Sequence, residues 1–456
     1  MSRRSLLLIS LVAIVHGLLF IVYVRPDWDV AWSDQAGYRR LGAVLAENGR
    51  FTRYPDYPVF VPEVIRTPGY PLFVAAIYKM FGIGNDVAVT IAQSFVFAAI
   101  CLLVYAMGRR IAGRRTGIAA AAITALFPPL PYFGALVLTE LWTAFMLTAA
   151  MWALVGGVYS RRVSDFVLAG VLLSCTTLVR PAFVLLPYFL AIGLPLLVKC
   201  QRERQMLTRW AVLVVAATIT LAPWFAYNYA NFGRLTLSPA GGIGRGLWEG
   251  TWQARWPGRV QAALTSLAAS AIDRTTLDER VQALAREARL DPGSMLQYVH
   301  EWRDINAVWD TPRDPLERVR ARVDADGLYY RAALTHIRED PPGHVMRRLT
   351  RGFFFLWAAD VPIRYTQISR VPTLVIRAIW LAQVILLALG AFGAALLARR
   401  GRWLETVLLV LPLVYVTGVH LPLLCETRQS LPVKPLVLLL AAVAVVRPTF
   451  PESAGS

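Results

Sequence analysis

Several windows of roughly 18 or more residues in this chain carry no charged side chain, and nothing else in the sequence restricts the fold so severely. A helix needs about 20 apolar residues to cross a hydrocarbon core of about 30 Å. Inside that core every backbone amide must be satisfied within the protein, so an unbroken apolar run reads as a spanning helix. The chain has 456 residues, 56% hydrophobic and 17% charged. A soluble enzyme, a disordered chain and a transmembrane β-barrel are thereby set aside.

Apolar windows at 6–24, 87–107, 116–136, 139–158, 165–179, 182–199, 210–228, 374–398, 403–422 and 431–446 predict about ten transmembrane helices. The stretches 116–158 and 165–199 are divided by Pro128, Pro129 and Pro131 and by Pro181, which suit turns between paired spans. The first window follows Arg3 and Arg4, and no small-residue cleavage site precedes the polar stretch after it, so a retained helix is expected.

The formal net charge of +18, from 47 Lys and Arg against 29 Asp and Glu, is explained by topology rather than nucleic acid. No basic helix or aromatic RNA-binding motif accompanies it; contact with anionic membrane lipid is the expectation. Arg3 and Arg4, Arg109 to Arg115, Arg161 and Arg162, the run 199–209, and Arg399 to Arg402 fall on alternate connections. Those faces, and both termini, are expected in the cytoplasm. The opposite face receives two long polar segments, 25–86 and about 229–372, and short turns near Pro131, Arg180 and Glu426. The expected organisation is an N-terminal membrane domain, 1–228, an extracytoplasmic helical module with an interfacial helix, 229–372, and C-terminal membrane helices, 373–456.

In the first polar segment Ser33 reads as an N-cap, Leu41, Val44 and Leu45 as an apolar stripe, and Asn48-Gly49 as a stop, predicting a helix on the membrane surface. A Pro-Gly turn follows at 66–71, and 72–81 is too short to cross. In the second, Thr276 to Glu279 reads as a capping box opening a helix that ends at Asp291-Pro292-Gly293, and another helix is expected over 315–339. Arg347, Arg348 and Arg351, interleaved with Phe353, Phe354, Phe355 and Trp357, predict an interfacial helix with guanidinium groups near lipid phosphates.

Apart from His16 the spans are nearly free of ionisable residues, unlike an ion-driven transporter. The ionisable groups collect at the outer ends of spans. Asp34 there can accept a proton from an attacking hydroxyl, although spacing alone favours a charge in the first turn of the surface helix. Glu140, opening the fourth span, is a second carboxylate or metal ligand on one reading and a helix-dipole partner on the other. Arg180, before Pro181, has no acidic neighbour in sequence and suits a phosphate as well as it suits snorkelling to headgroups. Arg428 serves equally as a phosphate contact or as the partner of Glu426. His336, His344 and His420 show no metal-ligand spacing, and neither do Cys101, Cys175, Cys200 and Cys425. Gly241-Gly242-Ile243-Gly244 follows no strand and does not qualify as a nucleotide loop.

Taken in order, these residues resemble bacterial GT-C glycosyltransferases of family 39, relatives of protein O-mannosyltransferases and the lipid A aminoarabinose transferase. The likeness rests on Asp34-x-x-x-Tyr38, Arg66-Thr67-Pro68-Gly69-Tyr70-Pro71, Thr139-Glu140, Val179-Arg180-Pro181, Ala222-Pro223-Trp224 with Asn228, Gly241-Gly242 through Leu247-Trp248, and Glu426-x-Arg428. It departs at Tyr227, where the family often has an arginine. The resemblance implies an all-α, GT-C-like integral membrane enzyme that moves a sugar from a polyprenyl-phosphate carrier to a lipid, glycan or protein acceptor on the extracytoplasmic face, with inversion. It makes Asp34 the catalytic carboxylate and Glu140 an active-site acid. Arg66, Arg180 and Arg428 become contacts to the carrier phosphate, and Tyr38, Tyr70, Asn228 and Glu426 further site candidates. A divalent metal has no support in the sequence. A flippase of lipid-linked glycans and a non-catalytic polyprenyl-lipid scaffold are the competing classes.

Overall fold

The computed structural model describes residues 3–24, 34–311, 314–359 and 372–446. Among them every regular element is a helix. Seven helices are long and apolar enough to cross a membrane: Arg4–Val24, Asp86–Ala112, Thr139–Ser160, Arg204–Phe232, Thr373–Arg399, Trp403–His420 and Thr427–Val445.

Three of the ten expected spans fall short. The window 116–136 divides into Arg114–Ala125, of 12 residues, and the single turn Pro129–Gly134. At about 1.5 Å per residue, 12 residues reach only about 18 Å. The cause is the Pro128-Pro129 pair, whose rings leave no donors to continue the ladder. The other two are Val163–Val179, with 17 residues, and Leu186–Leu197, with 12. Between them the chain passes through Arg180 in an extended conformation and a 3-10 turn at Pro181–Phe183.

The helices share one large apolar core, in which Phe97, Phe133, Leu141, Leu190, Trp210 and Leu436 are buried. Two glutamines tie its broken hairpin in place. The Gln93 amide donates to the carbonyls of Gly134 and Leu136, each at 2.8 Å, and its oxygen accepts the Tyr70 hydroxyl at 2.9 Å. The Gln35 oxygen accepts the Val137 amide at 2.9 Å. Besides its own backbone bonds, the proline-rich turn is thus pinned by side chains from two other helices.

A second core belongs to a helical module after residue 242. Trp248, Trp252 and Trp256 stack with Tyr298 and Tyr329, and Leu264, Leu277, Val281 and Val299 close around them. Its helices are Ile243–Trp252, Gly258–Ala269, Arg274–Ala288, Pro292–Asp310 and Pro315–Glu339. The third is capped by Asp273, which accepts the Thr276 amide at 2.9 Å, rather than by Thr276. Asp291-Pro292 closes nothing: Asp291 caps a new helix with Pro292 in its first turn. In the surface helix, Asp34–Asn48, the expected stop holds, with Gly49 at a φ of 65°. The expected cap, Ser33, lies outside the described residues.

The interfacial reading of 347–357 does not survive for its arginines. Arg348 is buried and donates to the carbonyls of Leu421, Gly250 and Leu423, to Gln253 Oε1 and to Cys425 Sγ. Arg347 pairs with Asp340 at 2.9 Å, and Arg351 donates to the Ala254 carbonyl. These guanidiniums join segments of the protein because carbonyl oxygens at 250, 254, 421 and 423 have no helical partners and need donors.

Candidate active site

The surface helix, the Pro-Gly turn, the start of the helix at Thr139, the break at Arg180 and the last turn before Thr427 meet at one end of the bundle. Together they enclose a cavity of about 670 Å³. Asp34, Tyr38, Arg66, Glu140, Arg180 and Arg428 all line it. Six residues that are scattered through the sequence are therefore one constellation.

Asp34 is the first residue of its helix, so its carboxylate also faces the positive end of the dipole. Arg66 Nη2 lies 3.3 Å from Asp34 Oδ1 and donates to the Asp34 carbonyl at 3.0 Å. On the other carboxylate oxygen, Arg428 Nη1 stands at 3.4 Å. Arg66 reaches this position by lying across Gly37, where a β-carbon would collide with the guanidinium. Its plane covers the Tyr38 ring at 4.4 Å. Burial raises the Tyr38 hydroxyl above its ordinary range, against the opposing charge of Arg66, so it stays a neutral donor.

Glu140 is buried, and its Oε1 accepts from Arg180 Nη2 at 3.1 Å with Arg428 Nη1 at 3.9 Å. Arg180, without an acidic neighbour in sequence, thus has one in space. The pairing is incomplete: Glu140 Oε2 and Arg180 Nη1 are buried without a hydrogen-bond partner. Arg428 is held from behind by Glu426, whose Oε2 is 2.6 Å from Arg428 Nε and whose side chain also closes a capping box with Gln429. Glu426 supports the site without lining it.

Two candidates serve elsewhere. Tyr70 is fully buried against Tyr38, and burial drives its hydroxyl well above the ordinary range. Asn228 donates to the Leu237 carbonyl at 3.3 Å, joining a helix end to the loop after it. Tyr415, which the sequence did not suggest, lines the cavity and fixes the Arg180 turn by donating to the Ala182 carbonyl at 2.7 Å and accepting the Leu185 amide. Among the described residues no group of three or more His, Cys, Asp or Glu is placed to hold a metal ion. Both cavity carboxylates face arginines, an arrangement that does not supply a metal's ligand set. Three guanidiniums at the mouth of a mostly aliphatic cavity suit an anion attached to an apolar chain.

Known proteins share this architecture. Over 96% of this chain, the structure superposes with a TM-score of 0.52 on the oligosaccharyltransferase AglB of Archaeoglobus fulgidus in complex with an inhibitory peptide and a dolichol-phosphate, at 14% identity. This chain shares the fold of that protein over most of its own length. It spans half the length of that archaeal protein. Residues 65–227 match the family model described as dolichyl-phosphate-mannose-protein mannosyltransferase. The ArnT protein of Cupriavidus metallidurans, bound to undecaprenyl phosphate, aligns over 98% of this chain and 79% of its own, with a TM-score of 0.42 and 16% identity. A comparison with curated protein sequences gives no match. The matched segment carries Arg66, Glu140 and Arg180, whereas Asp34 and Arg428 lie outside it and reach the cavity through the fold.

Proposed function

We propose that the protein is a membrane glycosyltransferase that moves a sugar from a polyprenyl-phosphate carrier to a lipid, glycan or protein acceptor at the extracytoplasmic face. The observation that carries this reading is the convergence of Arg66, Arg180 and Arg428 with Asp34 in one cavity. The match to a family described by dolichyl-phosphate-mannose and the dolichol-phosphate held by the archaeal neighbour support the carrier class. The alternation of basic loops supports a position of this end of the bundle outside the cytoplasm. On this reading residues 1–228 and 373–456 form the membrane part and 229–372 the outer module.

The carrier phosphate sits among the three guanidiniums, and its tail follows the aliphatic side of the cavity along Val179, Val184, Leu185 and Leu423. The acceptor hydroxyl attacks the anomeric carbon from the face opposite the phosphate. Asp34 takes the hydroxyl proton, the bond to the phosphate oxygen breaks, and the arginines stabilise the charge that gathers there. One displacement inverts the anomeric centre. Glu140 holds Arg180 and Arg428 in place for that charge.

The test is consumption of polyprenyl-phosphate sugars by the purified protein in nanodiscs with membrane extract as acceptor. Asp34→Asn is expected to bind carrier normally and to lose at least about 100-fold in turnover. Equal turnover would remove Asp34 as the base. Movement of intact carrier across the bilayer, with Asp34→Asn as active as the native protein, would replace the transferase by a flippase.

A further inference from the structure

Beyond the strand of chain at Ile65, Gly241 and Gly242, which walls the main cavity, lies a second and smaller one of about 160 Å³ inside the module. Its polar lining holds the guanidiniums of Arg245 and Arg322, the Asn306 amide, the Tyr329 hydroxyl and a carboxylate, Asp326. The Asn306 Oδ1 accepts the Trp309 indole N–H at 3.0 Å, which leaves the amide Nδ2 as the free end. That Nδ2 and the Tyr329 hydroxyl face each other on residues only 4% and 2% exposed, and neither has another partner among the described residues. Arg322 lies with its guanidinium 4.1 Å from the centre of the Trp309 ring and makes no ion pair among the described residues.

The nearby acids are already engaged. Asp326 accepts the backbone amides of Gly244 and Arg245, and Glu63 is held by Arg53 at 2.5 Å. Arg245 is spent on Glu249 at 2.9 Å. Burial first, and then the positive charge of Arg53, with smaller parts from Arg245 and Arg66 against Glu63, lower Arg322 to about 10. A cation, an amide N–H and a hydroxyl around a space of this size leave an acceptor-rich, negatively charged group as the complement.

We propose that this cavity binds an oxyanionic group, phosphate or carboxylate, borne by the acceptor, and so selects acidic acceptors for the reaction next door. The acceptor role rests on the transferase reading; the anion site itself does not. Arg322 supplies the charge, stacked and therefore oriented by Trp309. Asn306 and Tyr329 supply directed hydrogen bonds. Ile65, Gly241 and Gly242 line both cavities, so an acceptor anchored in the smaller one lies beside the larger.

The experiment titrates the full chain in nanodiscs with inorganic phosphate and, separately, with acetate. Native protein is expected to bind at least one of them saturably, and which one names the group. Arg322→Gln and Tyr329→Phe are each expected to weaken that binding, Arg322→Gln by at least about tenfold. Undecaprenyl-phosphate affinity, read alongside, reports the larger cavity and the fold. Binding unchanged in Arg322→Gln, binding abolished by Arg180→Ala, or no binding of either anion would overturn the site. In the transfer assay the bound anion should compete with acceptor and not with donor, and Arg322→Gln should raise the acceptor KM with kcat retained. Competition with donor instead would overturn the acceptor role. Anion binding at Arg322 with no carrier consumed under any condition would overturn the transferase reading and leave the anion site standing.

Discussion

The side chain of Asp34 is 47% exposed and that of Glu140 2% exposed, so a hydroxyl arriving from solvent reaches the first carboxylate and not the second. Burial of Glu140 is tolerable only because Arg180 and Arg428 face it, and on the proposed reading the same two arginines contact the carrier phosphate. This shared use gives opposite expectations for two substitutions. Arg180→Ala removes a charge-assisted contact, and undecaprenyl-phosphate affinity should fall about tenfold or more. Glu140→Gln keeps the shape but frees two guanidiniums, and affinity should hold or rise while turnover falls. Binding titrations on both variants check the pair; a loss of affinity in Glu140→Gln would mean that the acid touches the ligand itself. The types of residue in the site were legible from the chain because carboxylates and arginines at the ends of apolar spans are costly and so stand out. Their pairing was not, since Arg428 and Asp34 are 394 positions apart. Tyr70 and Asn228 misled because a motif tyrosine or asparagine is equally at home buried, and Tyr415 was hidden inside an apolar run.

Among the elements, the proline-rich turn at 128–138 depends on its neighbours. Gln93→Leu would leave two carbonyls and the Tyr70 hydroxyl without partners in a buried place, at a cost of about 2–4 kcal/mol. Thermal unfolding in nanodiscs should show the loss, with turnover falling as Glu140 shifts; native stability would mean that the turn holds itself. The tie at Arg348 is of the same kind. Arg348→Lys retains the charge but cannot fork to the carbonyls of Leu421 and Leu423 together with Gln253, and about 2–3 kcal/mol of stability should go. A lysine variant as stable as the native chain would refute the need for a fork. Helices were easy to read wherever apolar spacing ran uninterrupted. They were misread where proline opens a helix, as Pro129 and Pro292 both do in the first turn of theirs. The arginines at 347–351 were misread because sequence cannot tell a lipid phosphate from a bare carbonyl as their acceptor.

On the scale of the molecule, two cores meet at one polar seam. The membrane core stops at the cavity, the aromatic core of the module begins beyond it, and Arg348 crosses between them. Hydropathy alone separates the apolar windows from the polar segment 229–372. The position of the seam required the fold. The helices on either side of Arg180 carry a further consequence. With 17 and 12 residues they measure about 26 and 18 Å, less than the thickness of the hydrocarbon. On the transferase reading the bilayer beside such short helices forms a dimple, and a carrier diffusing into it brings its phosphate to Arg180 without leaving headgroup depth. Carrier consumption should accordingly be faster in short-chain than in long-chain phosphatidylcholine nanodiscs, and equal rates would show that the carrier is lifted from the membrane before it reacts.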